Sequence, residues 1–226
     1  MWNDRTKLLI GKDGTDRLEN CSVCIVGLGG VGGYVCHMLA RAGVGHLTLI
    51  DFDKVDETNI NRQIVAYQKT VGRYKTDVLK GQVLDINPKC EVKTYTKRFN
   101  TDASSEIFAQ KYDFVVDAID SVNDKIELIC YCKEHDLPIV SAMGTGNRVG
   151  IPTFKILDIY KTYNDGLAKV MRKKLRERGI KKLDVACCEA LAQKIDKRSK
   201  SVGSISYYPA MCGCVLAAHV IENLLK

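Results

Sequence analysis

The run Gly27-Leu28-Gly29-Gly30-Val31-Gly32 constrains this chain more than any other feature. It follows a compact apolar segment, Ser22 to Val26, and precedes a stretch of helical periodicity that ends near Ala42. A strand, a glycine turn and a helix in that order form a cradle for phosphate. The glycines let backbone approach the ligand, and the helix N-terminus supplies free N–H groups and a positive dipole end. Asp51 lies 19 residues after Gly32, at the end of a second apolar run, His46 to Ile50. A carboxylate there is placed to accept from ribose hydroxyls.

The same alternation continues. A helix is expected over Thr70 to Ile86, a strand over Glu91 to Tyr95 and another over Asp113 to Ile119. A helix from Ser121 to His135 and a strand from Pro138 to Met143 follow, then the polar loop GTGNRVG. A short helix from Arg5 to Leu18 precedes the core. Most of these strands are apolar on both sides, which predicts a sheet covered by helices on both faces. The fold class is α/β: a Rossmann-like, doubly wound, mostly parallel sheet. A smaller C-terminal extension carries mixed strands and helices: a strand from Thr153 to Tyr160, a basic helix from Leu167 to Arg178, a polar loop from Lys181 to Ser201 and a terminal helix from Pro209 to Leu225. At 226 residues the chain reads as one domain, with a nucleotide-binding core over 1–150 and a basic extension over 151–226.

Ligands of such sheets sit beyond the carboxyl ends of the strands. The segment after the second strand, Asp51-Phe52-Asp53-Lys54-Val55-Asp56-Glu57-Thr58-Asn59-Ile60-Asn61-Arg62-Gln63, is unusually polar. Arg62 can fork onto phosphate oxygens, Asn59 and Asn61 can donate, and Lys75 follows as a point charge. Two cations beyond the glycine turn suit a triphosphate better than a dinucleotide bridge. Asp117-Ala118-Ile119-Asp120 closes a further strand. A carboxylate facing a polyphosphate implies an intervening cation, and Mg²⁺ takes one or two carboxylates plus phosphate oxygens. Asp120 is the candidate ligand and Asp117 the residue that orients the turn; the alternative is that Asp120 caps the following helix. An NAD-dependent oxidoreductase remains compatible with the glycine turn and Asp51, although no hydride-transfer histidine is evident; His37 and His46 read as structural.

Charge and cysteines narrow the field. The formal charge is +7, and the 161–200 stretch alone carries 13 Lys/Arg against 5 Asp/Glu. Either this is a solvated helix face or a footprint for a phosphate backbone. No apolar run is long enough to span a membrane, the first nine residues lack a signal-peptide core, and a cytoplasmic location is the default. Most of the ten cysteines fall in apolar segments, as free thiols of a reducing compartment do. Cys21 and Cys24 form a CxxC with no second pair to complete a zinc site.

Together GLGGVG, DFDKVDETNINRQ, Lys75 and VVDAIDS resemble the adenylating enzymes related to ubiquitin activators and bacterial sulfur-carrier activators. The resemblance spans nearly the whole chain. Arg5 to Gly11, GVGHLTLID, Ile159 to Thr162, Leu167 to Arg172 and Gly203 to Ser206 are similar to the branch that dehydrates threonylcarbamoyladenosine in tRNA. That resemblance implies ATP and Mg²⁺ as cofactors, tRNA as substrate, a homodimer, and adenylation of the threonine carboxylate followed by ring closure. It implies that Gly27, Gly29, Gly30 and Gly32 line the nucleotide and that Asp51 holds ribose, with Asp53 in the same nucleotide-binding set. Asn59, Arg62, Gln63 and Lys75 would contact phosphates or adenosine, Asp120 would bind Mg²⁺, and Arg5 would reach the partner subunit's nucleotide. Lys169, Arg172, Lys173, Lys174, Arg176, Arg178, Lys181 and Lys182 become candidates to grip tRNA. Cys187 and Cys188 fall where related enzymes can carry a cysteine; a sulfur-transfer partner would need a thiol pKa lowered by Lys181 and Lys182, and ordinary reduced thiols are the alternative. Activation of a ubiquitin-like or sulfur-carrier protein is the second reading, and a non-catalytic tRNA-binding module another.

Overall fold

The computed structural model describes residues 2–193 and 202–226. Its helices are α1 (Asp4–Asn20), α2 (Gly32–Ala42), α3 (Lys75–Ile86), α4 (Thr101–Ile107), α5 (Val122–Glu134), α6 (Gly166–Glu177) and α7 (Tyr207–Leu224). Its strands are β1 (Ser22–Val26), β2 (His46–Ile50), β3 (Glu91–Tyr95), β4 (Phe114–Asp117), β5 (Ile139–Ala142), β6 (Phe154–Asp158) and β7 (Asp184–Cys188). They form one seven-stranded sheet in the order β3-β2-β1-β4-β5-β7-β6. Every pairing is parallel except that of β6 with β7.

The core strands are buried because their residues are apolar on both faces. Alternate side chains of β1 enter two different cores: Val23 and Ile25 join α2, α3 and α7 on one face, while Cys24 and Val26 join α5 and α6 on the other. This divides the CxxC. Cys21 packs in the first core and Cys24 in the second, so the two thiols face away from each other across the sheet. Among the described residues no helix is long and apolar enough to cross a membrane.

Two sequence expectations are corrected. The helix expected from Thr70 starts at Lys75 instead. Residues 72 and 73 pair their backbone with Val55 (Gly72 N–H to Val55 O, 2.8 Å; Val55 N–H to Arg73 O, 2.8 Å), which holds this segment extended. More consequentially, the loop expected over 181–201 contains a strand. β7 inserts between β5 and β6 and is almost wholly buried. Of the rest of that expected loop, 194–201 lies outside the described residues.

The extension therefore completes the sheet of the core. Its terminal helix returns to pack on α2, where a side chain at Gly213 would lie 2.7 Å from Val31 O. The run of small residues in α7 is thus what permits two helices to approach closely over the glycine turn.

Candidate active site

The strand order reverses between β1 and β4: from β1 the chain crosses to β2 on one side, and later to β4 on the other. The carboxyl ends of these strands open a crevice at that switch point, the usual ligand position in an open parallel sheet. The glycine turn, Asp51 and Asp117 all sit at its edge.

The glycines divide into two roles. Gly27 has φ +87°, and a Cβ there would lie 2.6 Å from Ala118 O. At Gly32 a Cβ would lie 1.8 Å from Gly27 O, so the turn closes on itself only with glycine at both ends. Gly30 is pressed against Pro209 of α7. Gly29 alone has room, facing the amide of Gln63 at 3.6 Å. Of the four, Gly29 is open to a ligand atom, while the others set the shape of the turn.

Asp51 is buried, and its carboxylate organises two loops. One oxygen accepts from Leu28 N–H at 2.6 Å and the other from Asp53 N–H at 2.8 Å. Burial raises its pKa, opposed by Lys75 and by these two backbone donors. A carboxylate has about four acceptor sites, so capacity for further donors remains. Lys75 is 4% exposed, and its Nζ lies 2.7 Å from Asp53 Oδ2. The backbone pairing of 72–73 with Val55 continues into Lys75 N–H to Asp53 O at 3.1 Å, which is what brings this lysine beside the second strand's end.

The polar segment is folded by a capped turn. Asp56 accepts from Thr58 N–H at 2.8 Å, and Asp56 N–H donates back to Asn59 Oδ1 at 3.1 Å. The next turn carries Arg62, whose Nη1 donates to Thr58 O at 2.8 Å and Asn61 Oδ1 at 2.9 Å. That uses part of the guanidinium fork and leaves donors free. Gln63 is buried, and its Oε1 has no hydrogen-bond partner among the described residues. An orphaned buried acceptor beside the open Gly29 is a position for a ligand donor.

Asp120 is exposed at the end of the β4 turn. It does not cap α5, whose N-cap is Ser121, and it makes no hydrogen bond or ion pair among the described residues. The turn is fixed from beneath. Asp117 accepts from Ile119 N–H at 3.1 Å, from Ser141 Oγ at 2.5 Å and from Lys125 Nζ at 2.9 Å. Lys125 also donates to Ile119 O at 3.0 Å, and both ionic side chains are fully buried. Among the described residues no three His, Cys, Asp or Glu side chains cluster as a metal site. One free carboxylate nevertheless fits Mg²⁺, which completes its shell with phosphate oxygens and water.

Sequence reasoning missed a second buried ion pair. Arg148, in the loop after β5, lies with Nη2 3.5 Å from Asp165 Oδ2 and 3.0 Å from Asn164 O. Asp165 caps α6 through Ala168 N–H (2.8 Å) and accepts from Gly144 N–H (2.9 Å). The α6 N-terminus is thus tied to the carboxyl end of β5. Segment 203–204 joins the same rim: Gly203 N–H donates to Asn147 Oδ1 at 2.6 Å, and Asn61 Nδ2 to Ser204 O at 3.1 Å. A polar loop after a predicted strand was the available signal; the partners lie far along the chain.

The structure gathers the four glycines, Asp51, Asp53, Asn59, Arg62, Gln63, Lys75 and Asp120 along the ends of β1, β2 and β4. Arg5 is not among them; it stands exposed on α1. Cys187 and Cys188 are buried in β7 rather than placed in a loop. Burial pushes the Cys187 thiol up to about 11, reinforced by Asp165. The expected lowering by Lys181 and Lys182 does not occur, because those side chains precede the strand and are exposed. Treatment with iodoacetamide at pH 7.5 is therefore expected to leave Cys187 unmodified in the folded protein, by peptide mass spectrometry. Rapid labelling there would mean that β7 opens.

In α6, Lys169, Lys173, Lys174 and Arg176 are exposed, as is Arg178 just past its end. Arg172 is half-buried and donates to Thr162 O at 2.9 Å, so it braces the helix instead of standing free as a phosphate ligand. The Arg176 guanidinium lies 5.1 Å from the Tyr160 ring centroid.

The chain is 38% identical to the tRNA threonylcarbamoyladenosine dehydratase of Bacillus subtilis, over 98% of this chain and 94% of that one. It superposes on the crystal structure of Escherichia coli tRNA N6-threonylcarbamoyladenosine dehydratase in complex with AMP with a TM-score of 0.92 and 31% identity, covering 98% of this chain and 93% of that one. The ATP complex of that enzyme matches with a TM-score of 0.91 and 30% identity, covering 98% and 93%. The family model that matches, described as the ThiF family, takes in residues 4–226. A glycine turn, a charged crevice and a terminal helix in one arrangement, matched along the whole chain, establish that this chain belongs to the ThiF family.

Proposed function

We propose that this chain is an ATP-dependent tRNA threonylcarbamoyladenosine dehydratase, acting in the cytoplasm as a homodimer. The observation that carries the reading is likeness along almost the entire chain to dehydratases of that name, one of them solved with both AMP and ATP. The crevice supports it chemically. A carboxylate acylates poorly because oxide leaves poorly. A carboxylate oxygen attacks the α-phosphorus of ATP, pyrophosphate departs, and the activated carbonyl is then attacked by a group of the same side chain. A ring closes and AMP leaves with the oxygen that would have been lost as water.

Such chemistry needs charge neutralisation and alignment more than a general base. Lys75 and the free donors of Arg62 neutralise phosphate oxygens. Gln63 and Asp51 accept from adenosine and ribose. Asp120 would hold Mg²⁺, which supplies further neutralisation of the phosphates when bound. Asp53 holds Lys75 in place through its 2.7 Å contact. Arg5, exposed on α1, is assigned to the partner subunit's nucleotide. The cations of α6 supply phosphate contacts to tRNA, since neutralising phosphates releases counterions.

The deciding experiment is nucleoside mass spectrometry of tRNA incubated with the protein, with and without ATP and Mg²⁺. The expected result is an ATP-dependent loss of one water from threonylcarbamoyladenosine. Unchanged tRNA, together with pyrophosphate exchange that depends on a small carrier protein, would overturn it.

A further inference from the structure

The basic segment does not face one way. α6 starts at the crevice edge, because its capping Asp165 accepts from Gly144 N–H, just past β5. The helix runs 12 residues, about 18 Å at 1.5 Å per residue. It ends in a turn that closes at Gly179, where Ile180 N–H returns to Leu175 O at 3.0 Å and Gly179 N–H to Arg176 O at 3.1 Å. The chain then enters β7, which runs parallel to β5 with Asp184 opposite Val140. Residues 178–182 and the end of α5 both precede a parallel strand. They therefore lie together at the amino edge of the sheet, opposite the crevice.

A groove of about 450 Å³ lies there, lined by Cys130, Lys133, Glu134, Arg178, Lys181 and Lys182 among others. Four cations face one carboxylate across it. Among the described residues the only ion pair these cations make is weak: Lys182 Nζ lies 4.0 Å from Asp184 Oδ1, and both side chains are solvent-exposed. Lys133, Arg178 and Lys181 have no ion-pair partner among the described residues. Lys133 comes from α5, outside the basic segment, so the cluster is assembled by the fold and not by sequence neighbourhood. A cationic groove of this kind suits a phosphodiester backbone.

We infer that the amino-edge groove built from Lys133, Arg178, Lys181 and Lys182 is a second phosphate-backbone site for the nucleic-acid substrate, remote from the reactive nucleoside. The inference rests on the proposed tRNA substrate and deepens it. A ligand engaging crevice and groove together must span roughly 15–20 Å along the sheet and α6. A mononucleotide or dinucleotide cannot do so; a longer strand or a folded RNA can. The cations near the start of α6, such as Lys169, bridge the two ends, so the helix acts as a track between them.

The test compares the triple variant Lys133→Ala/Arg178→Ala/Lys181→Ala with a variant of equal charge loss elsewhere, Lys80→Ala/Lys89→Ala/Lys93→Ala. Tight binding of full-length tRNA is measured by filter retention across a salt series, and turnover by nucleoside mass spectrometry. The groove variant is expected to weaken tRNA binding at least about tenfold at 0.15 M salt. Its salt slope should be shallower by roughly two, from 0.7–0.9 per lost phosphate contact. KM for tRNA should rise with kcat nearly unchanged, and a modified dinucleotide, a short oligonucleotide unable to span both sites, should be processed equally by both variants and the parent. Equal weakening in the control variant, or an equal effect on the short oligonucleotide, would overturn the inference, as would unchanged tRNA binding. Because binding is read separately from turnover, a parent that binds tRNA but converts none of it would sink the proposed reaction while leaving the groove to be judged on affinity.

Discussion

Replacing Asp120 by Ala is expected to lower kcat for tRNA dehydration by about 10²–10³-fold, the usual consequence of removing one preorganised electrostatic group from a reacting centre. The folded state should scarcely notice. The side chain is exposed and bonded to no described residue, and substitutions of that kind usually change stability by no more than about 0.5 kcal/mol. Affinity for tRNA should survive, because the cations assigned to it lie on α6 and beyond. The comparison thus separates an enzyme from a non-catalytic tRNA-binding module. Single-turnover mass spectrometry, thermal unfolding and filter binding on the one variant provide all three readouts. Retention of kcat within a factor of about three would remove Asp120 from the reaction and, with it, the assigned Mg²⁺ ligand.

The second large effect falls on stability. Lys125→Met removes one partner of a fully buried pair and leaves the Asp117 carboxylate with only Ser141 and a backbone N–H. An uncompensated buried charge costs about 3–5 kcal/mol. For a chain of this size that corresponds to a fall in Tm of very roughly 6–20 °C. Replacing both residues, Lys125→Met with Asp117→Val, should recover much of the loss, since a well-packed apolar pair often matches a buried ionic one. The double variant should still turn over poorly, because the carboxylate that shapes the β4 turn, and so aims Asp120, is gone. Denaturant unfolding of the two single variants and the double completes the cycle. A Lys125→Met protein as stable as the parent would show that the pair is not buried in solution.

Local pattern was enough to reveal most of this architecture. Compact apolar runs, helical spacing after them and a glycine turn between them are properties of a few consecutive residues. β1, α2, β2, β3, α5 and β5 follow from them to within a residue or two, and so does the crevice at the strand ends. Asp51 and Asp120 were legible for the same reason: in a parallel sheet, polar residues just after strands face the crevice. Arg62 and Lys75 were candidates as cations suited to a triphosphate, and Gln63 through the family resemblance.

β7 was not legible. Asp184–Cys188 is five residues inside a basic stretch, and nothing local marks it as core. It is a strand because β5 and β6 are positioned to pair with it on both sides, and only then does burying two cysteines become favourable. The same non-local pairing hides the thiols, and that burial raises the Cys187 pKa where a sulfur-relay role would have needed it lowered. Charged residues carried the opposite ambiguity. Lys125 and Arg148 look like surface cations in sequence, yet each is buried because a carboxylate lies on the strand beneath it or across a loop. Sequence alone thus determined most of the elements, their layering and which polar residues follow the strand ends. The tertiary structure decided which charges are buried, which thiols are shielded, and that the basic helix joins two opposite edges of the sheet. Those outcomes depend on pairing between distant segments, whose free energy no local run of residues contains.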